Sequence, residues 1–98
     1  MLFALICKDR AGRLQVRLDT RPAHVAFLEG LNGEKKLAFA GPFLDTDGKP
    51  NGSLVVVEAP DLAAAEALSA ADPYAKAGLF ESVEIRQWNW TFNKPASA

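Results

Sequence analysis

Apolar and polar residues follow one another along the chain in blocks that predict four strands. The first is expected at about residues 2–8, in the apolar run LFALICK. A second strand, KLAFAGPFL, is expected to be broken at Gly41-Pro42, and the turn-rich segment DTDGKPNG separates it from a third strand, SLVVVEA. A short helical turn, PYAKAG, leads into a last strand, FESVEIRQWNW.

Two longer segments predict helices. The first helix is expected to begin at Asp19 or Thr20, after the polar segment DRAGRLQVRLD, with Pro22 in its first turn. Its inner face carries residues at spacings i, i+3, i+4 and i+7, namely His24, Phe27, Leu28 and Leu31. A second helix, LAAAEALSAA, follows with Asp61 as its N-cap. The histidine is therefore expected to point into the protein, close to the start of the first helix.

The resulting order, β-α-β-β-α-β, predicts an α+β fold of the ferredoxin-like type, with an antiparallel sheet and both helices on one face. The first and third strands are apolar on both sides of the pleat, so two helices leave one apolar face uncovered. Each side chain left in water there would cost about 1.5–3 kcal/mol, and a second copy of the sheet is the simplest cover. We therefore expect a homodimer, with Trp88 and Trp90 in its interface.

Composition and charge narrow the class further. The 98 residues are 49% hydrophobic and 23% charged, which is typical of one folded domain; we expect it at residues 1–92, with a flexible tail at 93–98. A net charge of −1 provides no attraction to the phosphates of nucleic acids. The first apolar run is too short for a membrane span, and no signal-peptide pattern accompanies it. We expect a cytoplasmic protein without a nucleic-acid or membrane partner.

Metal and cofactor patterns are missing from the sequence. One histidine and one cysteine are too few for a usual zinc site. The segment DTDG opens like a calcium loop, but Pro50 and a missing glutamate argue against one. No glycine-rich phosphate-binding motif is present, and Cys7 is expected to pack as a small hydrophobe in a reducing compartment. We expect no metal and no cofactor.

The candidate chemistry centres on Asp72 and His24. Asp72 precedes Pro73, a pattern typical of a helix N-cap. The same carboxylate is suited to accept a hydrogen bond from one imidazole nitrogen, which leaves the other nitrogen to take a proton from a substrate. The alternative for His24 is a satisfied, partly buried imidazole without chemistry. The positive end of the helix would disfavour an imidazolium, whereas a nearby aspartate would favour it.

The remaining polar candidates each have a simpler alternative. Tyr74 and Ser53 are able to hydrogen-bond a ligand, although a tyrosine hydroxyl at the surface and a serine in an ordinary turn are the commoner cases. Gly41 and Pro42 are expected to shape the second strand around a pocket, or else to lie at a plain strand edge. Arg17 is a candidate for steering a carboxylate or phenolate to the histidine. A solvated basic face is the alternative for the four arginines of this region, Arg10, Arg13, Arg17 and Arg21.

Four separated motifs resemble the YciI-like (YCII-related) proteins: RPAH at 21–24, AGPFLDTDGKPNGSLVVVEA at 40–59, ADPYAKAGLF at 71–80 and SVEIRQW at 82–88. The resemblance covers residues 1 to 90 approximately, and it implies a dimeric α+β barrel. It also implies that His24 of RPAH and Asp72 of ADPY face a common pocket. Most members of the family have no assigned reaction, but one branch is associated with dehydrochlorination of a chlorinated aromatic intermediate, which implies that the scaffold supports lyase chemistry.

Two hypotheses of function follow. The first is a small cofactor-independent enzyme, a lyase or isomerase acting on a small cyclic or aromatic organic acid, with His24 as general acid or base and Asp72 orienting it. The second is a non-catalytic dimeric module that binds a small molecule or a partner protein. In that module the same pair would serve as a structural hydrogen bond.

Overall fold

The computed structural model describes residues 1–96, which form four strands and three helices. In chain order these are β1 (Leu2–Asp9), α1 (Leu14–Gly33), β2 (Leu37–Leu44), β3 (Pro50–Glu58), α2 (Leu62–Ala71), α3 (Pro73–Lys76) and β4 (Phe80–Trp88). The strands lie in the order β2-β3-β1-β4, and every neighbouring pair is antiparallel. The predicted α+β, ferredoxin-like arrangement is confirmed.

The start of α1 differs from the prediction. The helix begins at Leu14 rather than at Asp19 or Thr20, and Pro22 lies inside it instead of in its first turn. The prediction failed because the arginines before Pro22 were treated as a solvated segment, whereas Arg17 is only 4% exposed and belongs to the inner face. Pro22 has no N–H to offer the carbonyl one turn earlier, but Leu18 and Pro22 are both exposed, so water can satisfy that carbonyl.

This longer helix changes the electrical surroundings of His24. The ring lies in the third turn of α1, beyond the reach of the helix N-terminus, whose partial charge acts within the first turn. The expected opposition between the helix end and Asp72 therefore does not arise.

The strands β2 and β4 also differ in detail from the prediction. β2 continues through Gly41-Pro42 without a break, with Pro42 opposite Ser53 of β3. A proline is tolerated there because β2 is an edge strand, where a missing N–H removes no central ladder bond. β4 ends at Trp88, so Trp90 lies just beyond the strand.

The core lies between the sheet and the helices. The side chains of β1 and β3 that face the helices pair across the two strands, and they are Phe3, Leu5 and Cys7 with Val55 and Val57. Leu31 of α1 and Ala65 of α2 pack against them, as does Leu79 from the segment between α3 and β4. Cys7 is 3% exposed, which confirms its predicted packing role, and burial, with a smaller contribution from the charge of Asp72, raises the pKa of its thiol to about 12.

We call the sheet surface opposite the helices the open face. Phe39 of β2 and Trp88 of β4 contact each other there, with ring centroids 5.6 Å apart, and Trp90 lies 5.0 Å from Phe39. Because β3 and β1 separate β2 from β4, these rings meet only by reaching over the two central strands. Val56, which pairs with Phe39, is accordingly only 1% exposed. The chain's own aromatic side chains thus cover part of the face that the sequence left bare.

The chain beyond β4 contains neither helix nor strand as far as residue 96. The predicted tail at 93–98 extends past this point, since residues 97 and 98 lie outside the described residues. The division into a domain at 1–92 and a flexible tail stays a prediction.

Candidate active site

Two buried polar side chains of α1 form one wall of the site. Arg17 and His24 are seven residues apart, so they lie on the same face of the helix, and they are 4% and 8% exposed. Leu31, a further seven residues along, belongs to the core on this face. The inner face of α1 is therefore apolar in its C-terminal half and polar in its N-terminal half. The predicted helix began at Asp19 or Thr20 and so left Arg17 outside this face.

Asp72 stands between α2 and α3 and makes two hydrogen bonds through one oxygen. Its Oδ1 accepts from the backbone N–H of Tyr74, which caps α3, with Pro73 in the first turn. The same Oδ1 lies 2.8 Å from His24 Nδ1, and both side chains are buried. The two interpretations of Asp72 are thus compatible in geometry, because the carboxylate that caps α3 also contacts the imidazole of α1.

The contact fixes the form of the imidazole. A carboxylate oxygen accepts but does not donate, so in this bond the proton is on Nδ1 of His24, and the neutral ring keeps a lone pair on Nε2. Tyr74 holds the ring from the side: the two ring centroids are 3.9 Å apart and the planes differ by 16°. The imidazole is therefore oriented by a hydrogen bond at its edge and by an aromatic ring on its face.

Tyr74 is buried, contrary to the expected hydroxyl at the surface. It is 1% exposed, because its ring packs between the helical layer and the sheet and also lies 4.6 Å from the guanidinium carbon of Arg17. Burial raises the pKa of its phenol, although Arg17 and Arg21 act in the opposite direction. A neutral phenol stacked on the imidazole adds no charge to the site.

Arg17 is held by Asp9, which no sequence motif marks. Its Nε donates to Asp9 Oδ2 at 2.7 Å and its Nη2 to Asp9 Oδ1 at 2.9 Å, a two-bond pair whose side chains are 5% and 6% exposed. The same Nη2 donates to Ser53 Oγ at 2.9 Å. Burial alone would lower the pKa of Arg17, but the bonds to Asp9 outweigh it and raise the pKa. The solvated-face interpretation is therefore wrong for Arg17.

A cavity of about 270 Å³ lies between α1 and the edge of the sheet, and four of these side chains border it: Arg17, His24, Ser53 and Tyr74. Its apolar lining comes from Leu18, Val25, Leu28, Pro42, Pro50 and Val55. Its polar lining comes from Arg17, Arg21, His24, Ser53 and Tyr74. Arg21 is exposed and, within residues 1–96, takes part in no ion pair, so it is a cation available at this cavity. The volume is near the lower end of small-molecule sites.

The predicted site residues can now be located. Six of them border the cavity: His24, Tyr74, Ser53, Gly41, Pro42 and Arg17. Asp72 does not, and instead contacts His24 from behind. Position 41 has room for a larger residue than glycine, since a methyl group added there would meet no atom within 4 Å. Their chemical roles stay predictions. Asp9 was missed because it lies in a polar run at the end of β1, where neither spacing nor motif marks it.

The described residues contain neither a cluster of metal ligands nor a helix able to cross a membrane. Within residues 1–96, no group of three or more histidine, cysteine, aspartate or glutamate side chains is arranged to hold a metal ion. In the same part of the chain, no helix combines the length and the apolar character needed to cross a membrane. The cytoplasmic location stays a prediction.

The fold and the site together define a class: a small α+β-barrel-type domain with a buried histidine–aspartate contact beside a small cavity. The chain belongs to the YCII-related domain family, whose model matches residues 1–89. It is 38% identical over 98 residues to Protein YciI of Escherichia coli, a match that covers 94% of this chain and 100% of that protein. An uncharacterized protein of Haemophilus influenzae is 31% identical with the same coverage.

Solved structures extend the comparison. The chain is similar to 5-chloro-2-hydroxyhydroquinone dehydrochlorinase from Burkholderia phenoliruptrix in complex with 2,5-dihydroxybenzoquinone, with a TM-score of 0.83 and 37% identity over 91% of this chain and 94% of that one. An antibiotic biosynthesis monooxygenase gives a TM-score of 0.55 at 15% identity, covering 93% and 99% of the two chains, and shares the fold alone. The predicted fold class of dimeric α+β barrels is confirmed.

Proposed function

We propose that this protein is a cofactor-independent lyase or isomerase that acts on a small cyclic or aromatic organic acid, with His24 as the general base or acid and Asp72 orienting it. The observation that carries the proposal is the 2.8 Å contact between His24 Nδ1 and Asp72 Oδ1 beside a cavity. A small-molecule enzyme is also supported by the similar dehydrochlorinase, whose ligand is a small ring compound.

The proposed reaction begins at Nε2 of His24. While its Nδ1–H stays hydrogen-bonded to Asp72, the neutral ring takes a proton from the substrate at Nε2, and the carboxylate stabilises the imidazolium that forms. In an isomerase the imidazolium returns the proton to another substrate atom. In a lyase a leaving group departs with its bonding electrons, and the proton passes to that group or to water.

The surroundings support a flat acidic substrate. The apolar side chains of the cavity suit a ring, and the volume of about 270 Å³ suits a small molecule. Arg21 supplies a positive charge beside the cavity, whereas the charge of Arg17 is already neutralised by Asp9. We therefore propose that Arg21, rather than Arg17, attracts an anionic substrate.

The proposal is tested by proton exchange. Small cyclic carbonyl acids, including 2,5-dihydroxybenzoquinone, are incubated with the protein in deuterated buffer, and ring-proton exchange is followed by NMR. We expect exchange above the uncatalysed rate, lost in His24→Ala and reduced about 100-fold in Asp72→Asn, a typical contribution of general base catalysis. Glu66→Gln, an exposed change on α2 outside the cavity, is the control. Exchange that survives His24→Ala contradicts the proposal.

A second candidate function is a binding module without turnover. It is favoured by one observation, that Oδ1 of Asp72 bonds the backbone of α3 as well as the imidazole of α1, which makes the pair a structural link between two helices. Binding of the same compounds without exchange, unaffected by Asp72→Asn, is the result expected for that module.

We also propose that two copies associate through the open face. Phe43 and Trp88 lie on this side of the sheet and are 42% and 38% exposed. Burying these large apolar side chains against a second copy would be favourable. The structural neighbours have the fold class in which such sheets pair, which supports the proposal. Sedimentation equilibrium tests it: a dimer is expected, and Trp88→Glu is expected to give a monomer.

A further inference from the structure

The hydroxyl oxygen of Ser53 accepts a hydrogen bond from a neighbouring side chain. Arg17 Nη2 donates to Ser53 Oγ at 2.9 Å, and a guanidinium never accepts, so the oxygen is used as an acceptor. Asp9 fixes the guanidinium through two further bonds of 2.7 and 2.9 Å. Hydrogen bonds thus connect Asp9 at the end of β1 to Arg17 of α1, and Arg17 to Ser53 of β3. Ser53 is only 3% exposed.

The hydrogen of this hydroxyl is available to the cavity. Ser53 lines the cavity, and among residues 1–96 no backbone or side-chain group accepts from its Oγ. The oxygen already has Arg17 as its partner, so the hydroxyl can donate its hydrogen to a ligand oxygen in the cavity without giving up that bond. His24 lines the same cavity, and its Nε2 is a hydrogen-bond acceptor when Nδ1 donates to Asp72. The residues lining the cavity therefore include a donor, Ser53, and an acceptor, His24.

We propose that Ser53 donates a hydrogen bond to a carbonyl oxygen of the substrate, and that Arg17 and Asp9 are positioning residues that hold this donor. The inference rests on the proposed function and specifies its substrate as a ring compound in which the acidic proton is adjacent to a carbonyl group. Arg17 acts through Ser53 and does not bind the substrate as an anion receptor.

The proposed step is balanced without any co-reactant. Nε2 of His24 takes the proton, the electron pair of the broken C–H bond forms a carbon–carbon double bond, and the carbonyl π electrons move onto oxygen. The resulting enolate oxygen accepts from Ser53, which therefore binds the intermediate more tightly than the neutral carbonyl. The enolate then expels a leaving group, with its bonding pair, from the carbon next to the deprotonated one; in a ring with a conjugated double bond it can instead take the proton back from His24 at the far end of the conjugated system.

The test uses bound 2,5-dihydroxybenzoquinone, which carries carbonyl groups beside hydroxyl-bearing carbons. The carbonyl stretching band is measured by infrared difference spectroscopy, and the dissociation constant by absorbance titration. In Ser53→Ala we expect the band of the bound probe to move to higher frequency and binding to weaken about tenfold, as for loss of one net hydrogen bond. Ser69→Ala, which removes a buried serine outside the cavity, is expected to change neither quantity.

The positioning role is tested by Asp9→Asn, alone and combined with Ser53→Ala. The single variant is expected to shift the band part of the way, and the double variant is expected to match Ser53→Ala alone, because Asp9 acts through the serine. Arg17→Lys provides a second variant if Asp9→Asn does not fold. An unshifted band in folded Ser53→Ala, or no binding of the probe by the wild type, overturns the inference. If the band shifts but no variant affects proton exchange, the donor is established and the proposed function fails separately.

Discussion

The double use of Asp72 Oδ1 leads to a quantitative prediction for the free energy of unfolding. Asp72→Ala removes the cap of α3, which costs about 1 kcal/mol, and it also removes the partner of the buried Nδ1–H of His24. A buried donor left unpaired costs about 1–3 kcal/mol. The imidazole can lessen this cost by moving its proton from Nδ1 to Nε2, since the residue borders the cavity, so the lower figure applies. We expect a total loss of about 2 kcal/mol, or about 10 °C in Tm for a domain of this size.

Two further variants separate the contributions. Asp72→Asn keeps a neutral oxygen for both donors and is expected to lose less than about 1 kcal/mol. Asp61→Ala is the matched control, because Asp61 caps α2 by accepting from Ala64 N–H at 2.8 Å and has no histidine partner. Its loss is expected to be about 1 kcal/mol, so the difference between the two alanine variants measures the histidine contact.

The assay is urea unfolding at neutral pH and one fixed protein concentration, since any self-association would make stability depend on concentration. The ring ¹⁵N chemical shifts of His24 provide an independent measurement in the folded proteins. Wild type is expected to show the proton on Nδ1, and Asp72→Ala is expected to show it on Nε2. If Asp72→Ala costs no more than Asp61→Ala and the tautomer is unchanged, the contact contributes nothing and the reasoning is refuted.

Three other predictions concern the framework of the site. Gly52→Ala would place its Cβ 2.5 Å from the carbonyl oxygen of Cys7, so urea unfolding should show a loss of about 2 kcal/mol, whereas Gly41→Ala, with no atom within 4 Å, should stay within about 0.5 kcal/mol. Burial raises the pKa of the Cys7 thiol from 9.0 to about 12, so the unfolded chain releases this proton at a lower pH than the folded chain. The contribution of the protonated thiol to the free energy of unfolding is therefore complete below pH 9 and declines as the pH rises toward 12. Across that window, wild type should lose stability relative to Cys7→Ala. Arg17→Leu leaves the carboxylate of Asp9 buried and unpaired and should cost about 3–5 kcal/mol, most of it recovered in the Asp9→Leu double variant; a single variant as stable as wild type would contradict the ion pair's role.

The fold was predictable because its signals are local. Alternating apolar runs, the N-cap at Asp61 and the alanine-rich segment LAAAEALSAA determine the element order, and the order leaves few topologies. The start of α1 was not predictable in the same way, because Arg17 was assigned to solvent on residue type alone. Its burial depends on Asp9, and nothing in a linear pattern indicates that a charge at a strand end will meet one on a helix.

In the candidate site, too, local features could be predicted and long-range contacts could not. The cap at Asp72 follows from the Asp-Pro pair, but its approach to His24 was implied only by the family resemblance, since residues 48 positions apart give no local signal of contact. Ser53 was proposed as a hydroxyl near the pocket, while its pairing with Arg17 became visible only in the structure. Long-range polar contacts depend on strand register and on helix position together, which a single sequence constrains weakly.

The arrangement of aromatic side chains gives this protein two separate spectroscopic reporters. Its only tryptophans, Trp88 and Trp90, contact each other on the open face, and neither borders the cavity. Their emission therefore reports on what covers the open face, and it is a suitable signal for association of two copies. The single tyrosine, Tyr74, stacks on His24 and borders the cavity, so the NMR signals of its ring protons are the matching report on a bound ligand. Assembly and ligand binding can thus be followed in one unlabelled sample, each by its own aromatic side chain.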